Sequence, residues 1–118
     1  APGELRAIVD ELYDQLARNC RRFKLIDTSA RDYPELAALW FEGARGDLLL
    51  RLRDYLESRI SRVLLMPVPD VAAAARLVLE TTVFWAVHRH FDSRPEMISE
   101  ELARDTVAHF VVRALSKE

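Results

Sequence analysis

Residues 70 to 91, DVAAAARLVLETTVFWAVHRHF, read as one helix that is apolar almost all the way round. Between Val71 and Val87 only Arg76 and Glu80 carry charge. A helix of that kind, when surrounded by water, has to be covered twice, by its own domain on one side and by something else on the other. In a chain of 118 residues, that something is expected to be a second copy. The stretch therefore predicts a homodimer, and a dimer built on helices points toward regulation or sensing before catalysis.

The rest of the pattern is helical too. From Glu4 to Arg22, Leu5, Ile8, Val9, Leu12, Tyr13, Leu16 and Cys20 recur at helical spacing and predict an amphipathic helix. Phe23 to Ala30 runs into Asp27, Thr28 and Ser29, whose side chains compete for backbone hydrogen bonds, and reads as a brief helix or turn. Pro34 suits a first helical turn, with Asp32 or Tyr33 as the cap, and that helix is expected to run on to Ile60 as the longest of the chain. Gly43 and Gly46 fall inside it, and each costs about 1 kcal/mol relative to alanine. They call for a reason: close approach of a neighbouring helix, room for a ligand, or a local bend. Met66-Pro67-Val68-Pro69 reads as a stiff linker, Asp70 as the cap of the opening helix, and Arg94-Pro95 as part of the break that follows it. Ser99 with Glu100 and Glu101 then starts a helix whose apolar stripe ends at Leu115. The fold class is all-α, a five-helix bundle of four long helices and one short in a single domain over 1–118.

Composition narrows the function. Seventeen basic residues against nineteen acidic ones give a net charge of -2, which argues against nucleic-acid binding by these residues, since that needs a concentrated excess of Lys and Arg. Cys20 is the only cysteine, so no intramolecular disulfide can form, and a cytoplasmic home is the default. No uncharged apolar run approaches the roughly 18 to 20 residues that cross a bilayer, and no signal-peptide layout appears, so no membrane partner is expected. His88 and His90, two residues apart, fall on roughly opposite sides of a helix and cannot share one ion. With His109 on another helix, neither a metal nor a cofactor is expected. His88 reads instead as an interface or pocket residue, and His90 as a cation near a helix end. There is no G-x-S-x-G motif and no glycine-rich phosphate loop among three glycines, and Cys20 on an apolar face reads as a core residue. Phe23, Trp40, Phe41, Tyr55, Phe84 and Trp85 come from three segments that would meet in a bundle, where they either line a cavity or fill the core.

Three segments carry a family resemblance: PELAALWF at Pro34 to Phe41, AARLVLET at Ala74 to Thr81, and AVHRHFD at Ala86 to Asp92. With TVAHFVVRAL at Thr106 to Leu115 they mark a likeness that begins at Arg21 and extends over nearly the whole chain, which resembles the C-terminal region of tetracycline-repressor (TetR) family transcriptional regulators. The resemblance implies an effector-binding and dimerisation domain of a transcriptional repressor, not an enzyme. Operator DNA would be bound only by an N-terminal helix-turn-helix, which the resemblance places outside these residues. In the family the last two helices of each subunit form an intersubunit four-helix bundle, so Thr81, Trp85, His88, Val107, Phe110 and Val111 become candidates for the dimer interface. The effector cavity, for a small and largely apolar molecule, would involve Phe23, Ile26, Trp40, Phe41, Ala44, Arg45 and Phe84. Two rivals remain: a small dimeric helical enzyme using Arg45, Arg76 and Glu80, and a purely structural dimerisation module.

Overall fold

A computed structural model describes residues 2–93 and 97–117, so the expected Arg94-Pro95 break lies outside the described residues. Among those residues all regular structure is helical. The first helix, α1 (Pro2–Arg18), buries Leu5, Val9, Tyr13 and Leu16, the stripe its sequence spacing predicts. It stops four residues short of the expected Arg22, where Asn19 leaves helical geometry at φ -112° and ψ 23° and its side chain donates to the Gln15 carbonyl at 2.9 Å, beside the backbone N–H that also reaches that carbonyl. The chain restarts at once as α2 (Cys20–Ala30), so the brief helix expected from Phe23 begins three residues earlier.

The long helix expected from Pro34 to Ile60 is bent. Five residues of α3 (Pro34–Ala38) lead into a wide turn, Leu39–Ala44, and only then into α4 (Arg45–Ser61). Gly43 leaves helical geometry within that turn, at φ -88° and ψ -111°. Gly46 has a different reason to be glycine: a Cβ there would lie 2.3 Å from the Phe41 carbonyl oxygen. Of the three reasons open from sequence, the local bend accounts for it, since the carbonyl displaced by the wide turn occupies the space a side chain would need. Gly46→Ala should therefore lower the unfolding midpoint despite alanine's higher helix propensity, at a cost of roughly 1–3 kcal/mol. A thermal melt showing equal or greater stability would mean that the turn straightens freely.

Beyond Ser61 the chain closes α4 with a left-handed residue. Leu64 N–H donates to the Arg59 carbonyl at 2.8 Å and Val63 N–H to the Ile60 carbonyl at 3.0 Å, a pairing that places the residue between them at positive φ. That residue is Val63, at φ 59°. A β-branched side chain is poorly suited to this region, where glycine is the usual occupant. Val63→Gly is expected to stabilise the protein by about 1 kcal/mol in urea unfolding. A loss of stability would show that the exposed Val63 side chain makes an interaction stronger than its backbone penalty.

The linker then ties to the far end of the chain, Met66 N–H donating to the Leu115 carbonyl at 2.8 Å. Asp70 caps α5 (Val71–Ala86) by accepting from Ala73 N–H at 3.1 Å, and Ser99 caps α6 (Glu100–Leu115) by accepting from Leu102 N–H at 3.1 Å, both as the sequence predicts. α5 ends five residues before the expected Phe91, which belongs with His88 to a short 3-10 turn, His88–Phe91. α5 is the central element: α1, α4 and α6 all pack on it, and α1 also packs on α6. Ala75, Val78, Leu79, Thr82, Val83 and Ala86 of α5 are buried against them. The radius of gyration, 14.9 Å, exceeds the roughly 13.5 Å of a compact domain of this length, as fits a body with an open face.

Candidate functional site

The open face belongs to α5 and α6. Between them runs a groove of about 670 Å³, closed at one end by Val68 and Pro69 of the linker. Its floor is made of small and branched residues, among them Ala73, Ala74, Thr81 and Ala114, while Leu77 and Phe110 rise beside it. Leu77 is 68% exposed and Phe110 69% exposed. Protruding apolar knobs and shallow apolar holes thus share one surface. Of the interface candidates, Thr81, Trp85, Val107, Phe110 and Val111 all line this groove. Val107 and Val111 also reach into the core, so they hold α6 on its own domain as well as shaping the groove. His88 lies elsewhere, in the 3-10 turn and against α2.

The residues nominated for a ligand fall into three groups. Phe23 of α2 and Trp40 of the wide turn pack edge to face with ring centroids 5.0 Å apart, and Trp40 Nε1 donates to Asp27 Oδ1 at 3.3 Å. Ile26, on the same helix as Phe23, is half-buried. Phe41 and Arg45 form a second group, the guanidinium lying 5.4 Å from the Phe41 ring centroid, with Ala44 exposed next to them. Phe84 stands apart on α5, partly exposed and edge-on to Trp85 at 5.8 Å. None of these lines the α5/α6 groove.

Arg45, Arg76 and Glu80 do converge. Arg45 Nη2 donates to Glu80 Oε1 at 2.5 Å, and Arg76 Nε lies 3.8 Å from the same oxygen. The Arg76–Glu80 pair along α5 is the one its four-residue spacing predicts. Arg45, the first residue of α4 after the wide turn, adds a link to that helix, so one carboxylate ties the start of α4 to α5. The arrangement neutralises the Glu80 carboxylate on an otherwise largely apolar helix.

Sequence reasoning did not single out a polar knot at the end of α5. Arg89, 1% exposed, donates from Nε to the Trp85 carbonyl at 2.8 Å and from Nη1 to the Ile98 carbonyl at 2.8 Å, and its Nη2 pairs with Glu100. Tyr13 Oη donates to Glu100 at 3.1 Å, with the Trp85 carbonyl 3.3 Å away, and His90 Nε2 is 3.0 Å from Glu100. Burial, with the Glu100 carboxylate adding to it against the Arg89 charge, pushes the Tyr13 phenol up to about 12. The knot explains why α5 stops at Ala86: the Trp85 carbonyl, which a continuing helix would pair with a backbone N–H, takes a side-chain donor. The signal available in the sequence was an arginine at the end of a nearly apolar run, with a partner eleven residues away across a break.

His88 and His90 diverge as their spacing implies, His90 toward Glu100 of α6 and His88 toward Lys24 and Asp27 of α2. Among the described residues no helix is long and apolar enough to cross a membrane, and no group of three or more His, Cys, Asp or Glu is placed to hold a metal ion. Comparison with known protein families, with curated proteins and with solved structures finds no match for the chain.

Proposed function

We propose that this chain is the effector-sensing and dimerisation domain of a transcriptional regulator of the tetracycline-repressor type. The observation that carries the reading is the apolar α5/α6 groove with Leu77 and Phe110 standing beside it. A two-fold dimer needs a patch that is complementary to itself, and a face bearing both knobs and holes meets that condition. Packing this face on its copy would bury the exposed side of α5 and assemble four helices, two from each subunit. A small, largely apolar effector would bind on the side of Phe23, Trp40, Phe41 and Arg45, and the Arg45–Glu80 link would carry the change in the wide turn to α5. Differential affinity for two arrangements, on the order of 1–3 kcal/mol, is enough to alter operator binding by a helix-turn-helix domain carried with each subunit.

Native mass spectrometry of the purified protein tests this. A dimer is expected, and extra mass retained on it would identify an effector. A stable monomer at micromolar concentration would end the reading. A second reading, a structural dimerisation module without an effector, draws support from the close edge-to-face packing of Phe23 on Trp40. It predicts a dimer whose Trp40 fluorescence ignores every apolar ligand offered.

A further inference from the structure

His88 sits where α2, the wide turn and the end of α5 meet. Its ring lies edge-on to Phe23, centroids 6.2 Å apart. Nδ1 is 3.0 Å from Lys24 Nζ, and Nε2 is 4.0 Å from Asp27 Oδ2. An ammonium group has donors and no acceptor, so at that distance Nδ1 must be the acceptor. The ring is therefore neutral, with its proton on Nε2, the nitrogen that faces Asp27. Asp27 in turn accepts from Trp40 Nε1 at 3.3 Å. Lys24 has a second hold on the same turn, 5.7 Å from the Phe91 ring centroid. One choice of tautomer thus joins side chains from α2, the wide turn and the 3-10 turn.

We propose that His88 is a proton-operated latch: taking up a proton at Nδ1 releases Lys24 and draws Asp27 toward the ring and away from Trp40, loosening α2 and the wide turn from the end of α5. The step is a simple protonation. One N–H bond forms at Nδ1, the proton comes from solvent, which reaches a side chain that is 28% exposed, and no group is oxidised or reduced. An imidazolium has two donors and no acceptor, so the Lys24 hydrogen bond is lost and two cations are left 3.0 Å apart. The opposite change occurs at Asp27: its Oδ2, 4.0 Å from Nε2, closes to an ion pair, and the shift of the carboxylate carries Oδ1 away from the Trp40 indole, whose hydrogen bond is already 3.3 Å long. This latch stands on its own contacts and operates whether or not the protein binds an effector.

The charged groups around the ring determine which side of neutrality it works on. Burial is the main influence and opposes the charged form, with Lys24 of α2 and Arg31 just beyond its end acting in the same direction, while Asp27 of α2 and Glu80 of α5 oppose them. The balance holds His88 below its ordinary value of 6.5. Because the unfolded chain then takes up its proton first as pH falls, the stability contributed by the neutral ring is complete above 6.5. It is lost as pH drops through the folded-state value. The latch is closed at neutral pH and opens on the acid side.

Nuclear magnetic resonance of the full chain gives a separate signal for each histidine ring and for each of the two tryptophan indoles. The His88 ring is expected to titrate with a midpoint below 6.5, and the Trp40 indole N–H signal to move with that same midpoint while the Trp85 signal does not. Lys24→Met should raise the His88 midpoint, and His88→Gln should remove the acid-dependent movement of Trp40. A Trp40 signal that stays still while His88 titrates would overturn the proposal, as would a His88 midpoint that Lys24→Met leaves unchanged. If either variant fails to fold, the wild-type titration alone decides, since the coupling of two midpoints is read there.

Discussion

Phe110→Asp is expected to leave a folded monomer. The side chain is 69% exposed on the single subunit, so its removal takes almost nothing from the core of that subunit. In the proposed two-fold dimer it would stand in the groove of the partner, and every change is made twice, once from each subunit. Truncating a central aromatic anchor typically costs about 2 kcal/mol or more, so two copies give roughly 4 kcal/mol, or about a thousandfold in dissociation constant. Aspartate adds the penalty of facing a groove whose lining includes no cationic side chain. Sedimentation velocity across a concentration series reads the effect directly, and circular dichroism checks that the helices persist. A variant that remains dimeric at the concentrations where the wild type does would move the interface away from α6.

Arg89→Met should be the most damaging of the single substitutions considered for the fold. The methionine fills a similar volume but leaves the Ile98 carbonyl without its donor and removes the charge that pairs with Glu100. Glu100 keeps His90, and the single Tyr13 phenol proton stays within reach of Glu100 or the Trp85 carbonyl, so the loss is partial. About 3 kcal/mol is expected, with a fall in unfolding midpoint of roughly 10 °C. Arg89→Lys should recover only part of this, because one ammonium cannot span three acceptors arranged around a planar fork. A melt in which Arg89→Met matches the wild type would mean that apolar packing substitutes for the knot, as it does for some buried ion pairs.

The elements legible in the sequence are those decided by periodicity and by single side chains. The stripe of α1, the Asp70 and Ser99 caps and the helical character of the whole chain follow from local spacing. Where helices end is less legible, because the deciding bond depends on how a side chain is held. The Trp85 carbonyl accepts from Arg89 Nε, and Arg89 is held there by the Ile98 carbonyl and Glu100, which no spacing rule near Ala86 announces. The bend has a local cause that remained one choice among several: Gly46 was visible, but the carbonyl it makes way for belongs to Phe41, and only the wide turn brings the two together. The candidate site divides in the same way. Apolar excess on α5 and α6 marks a face that needs covering and can be read from composition. The Lys24–His88–Asp27 chain joins residues more than 60 positions apart with no spacing rule between them, and neither Lys24 nor Asp27 carries a motif.

The pairing of α1 with α6 bears on how the protein is made. Arg6 reaches Asp105, Arg104 reaches Asp14 and Tyr13 reaches Glu100, spanning 99, 90 and 87 residues of chain. Synthesis at ~5–20 residues per second separates the emergence of these partners by on the order of ten seconds. Throughout that interval α1, which carries Leu5, Val9 and Leu16, lacks the part of its cover that α6 supplies, even after α5 has emerged. The nascent chain should therefore be a substrate for holding chaperones until α6 arrives, and the domain closes as a unit only once α6 has emerged.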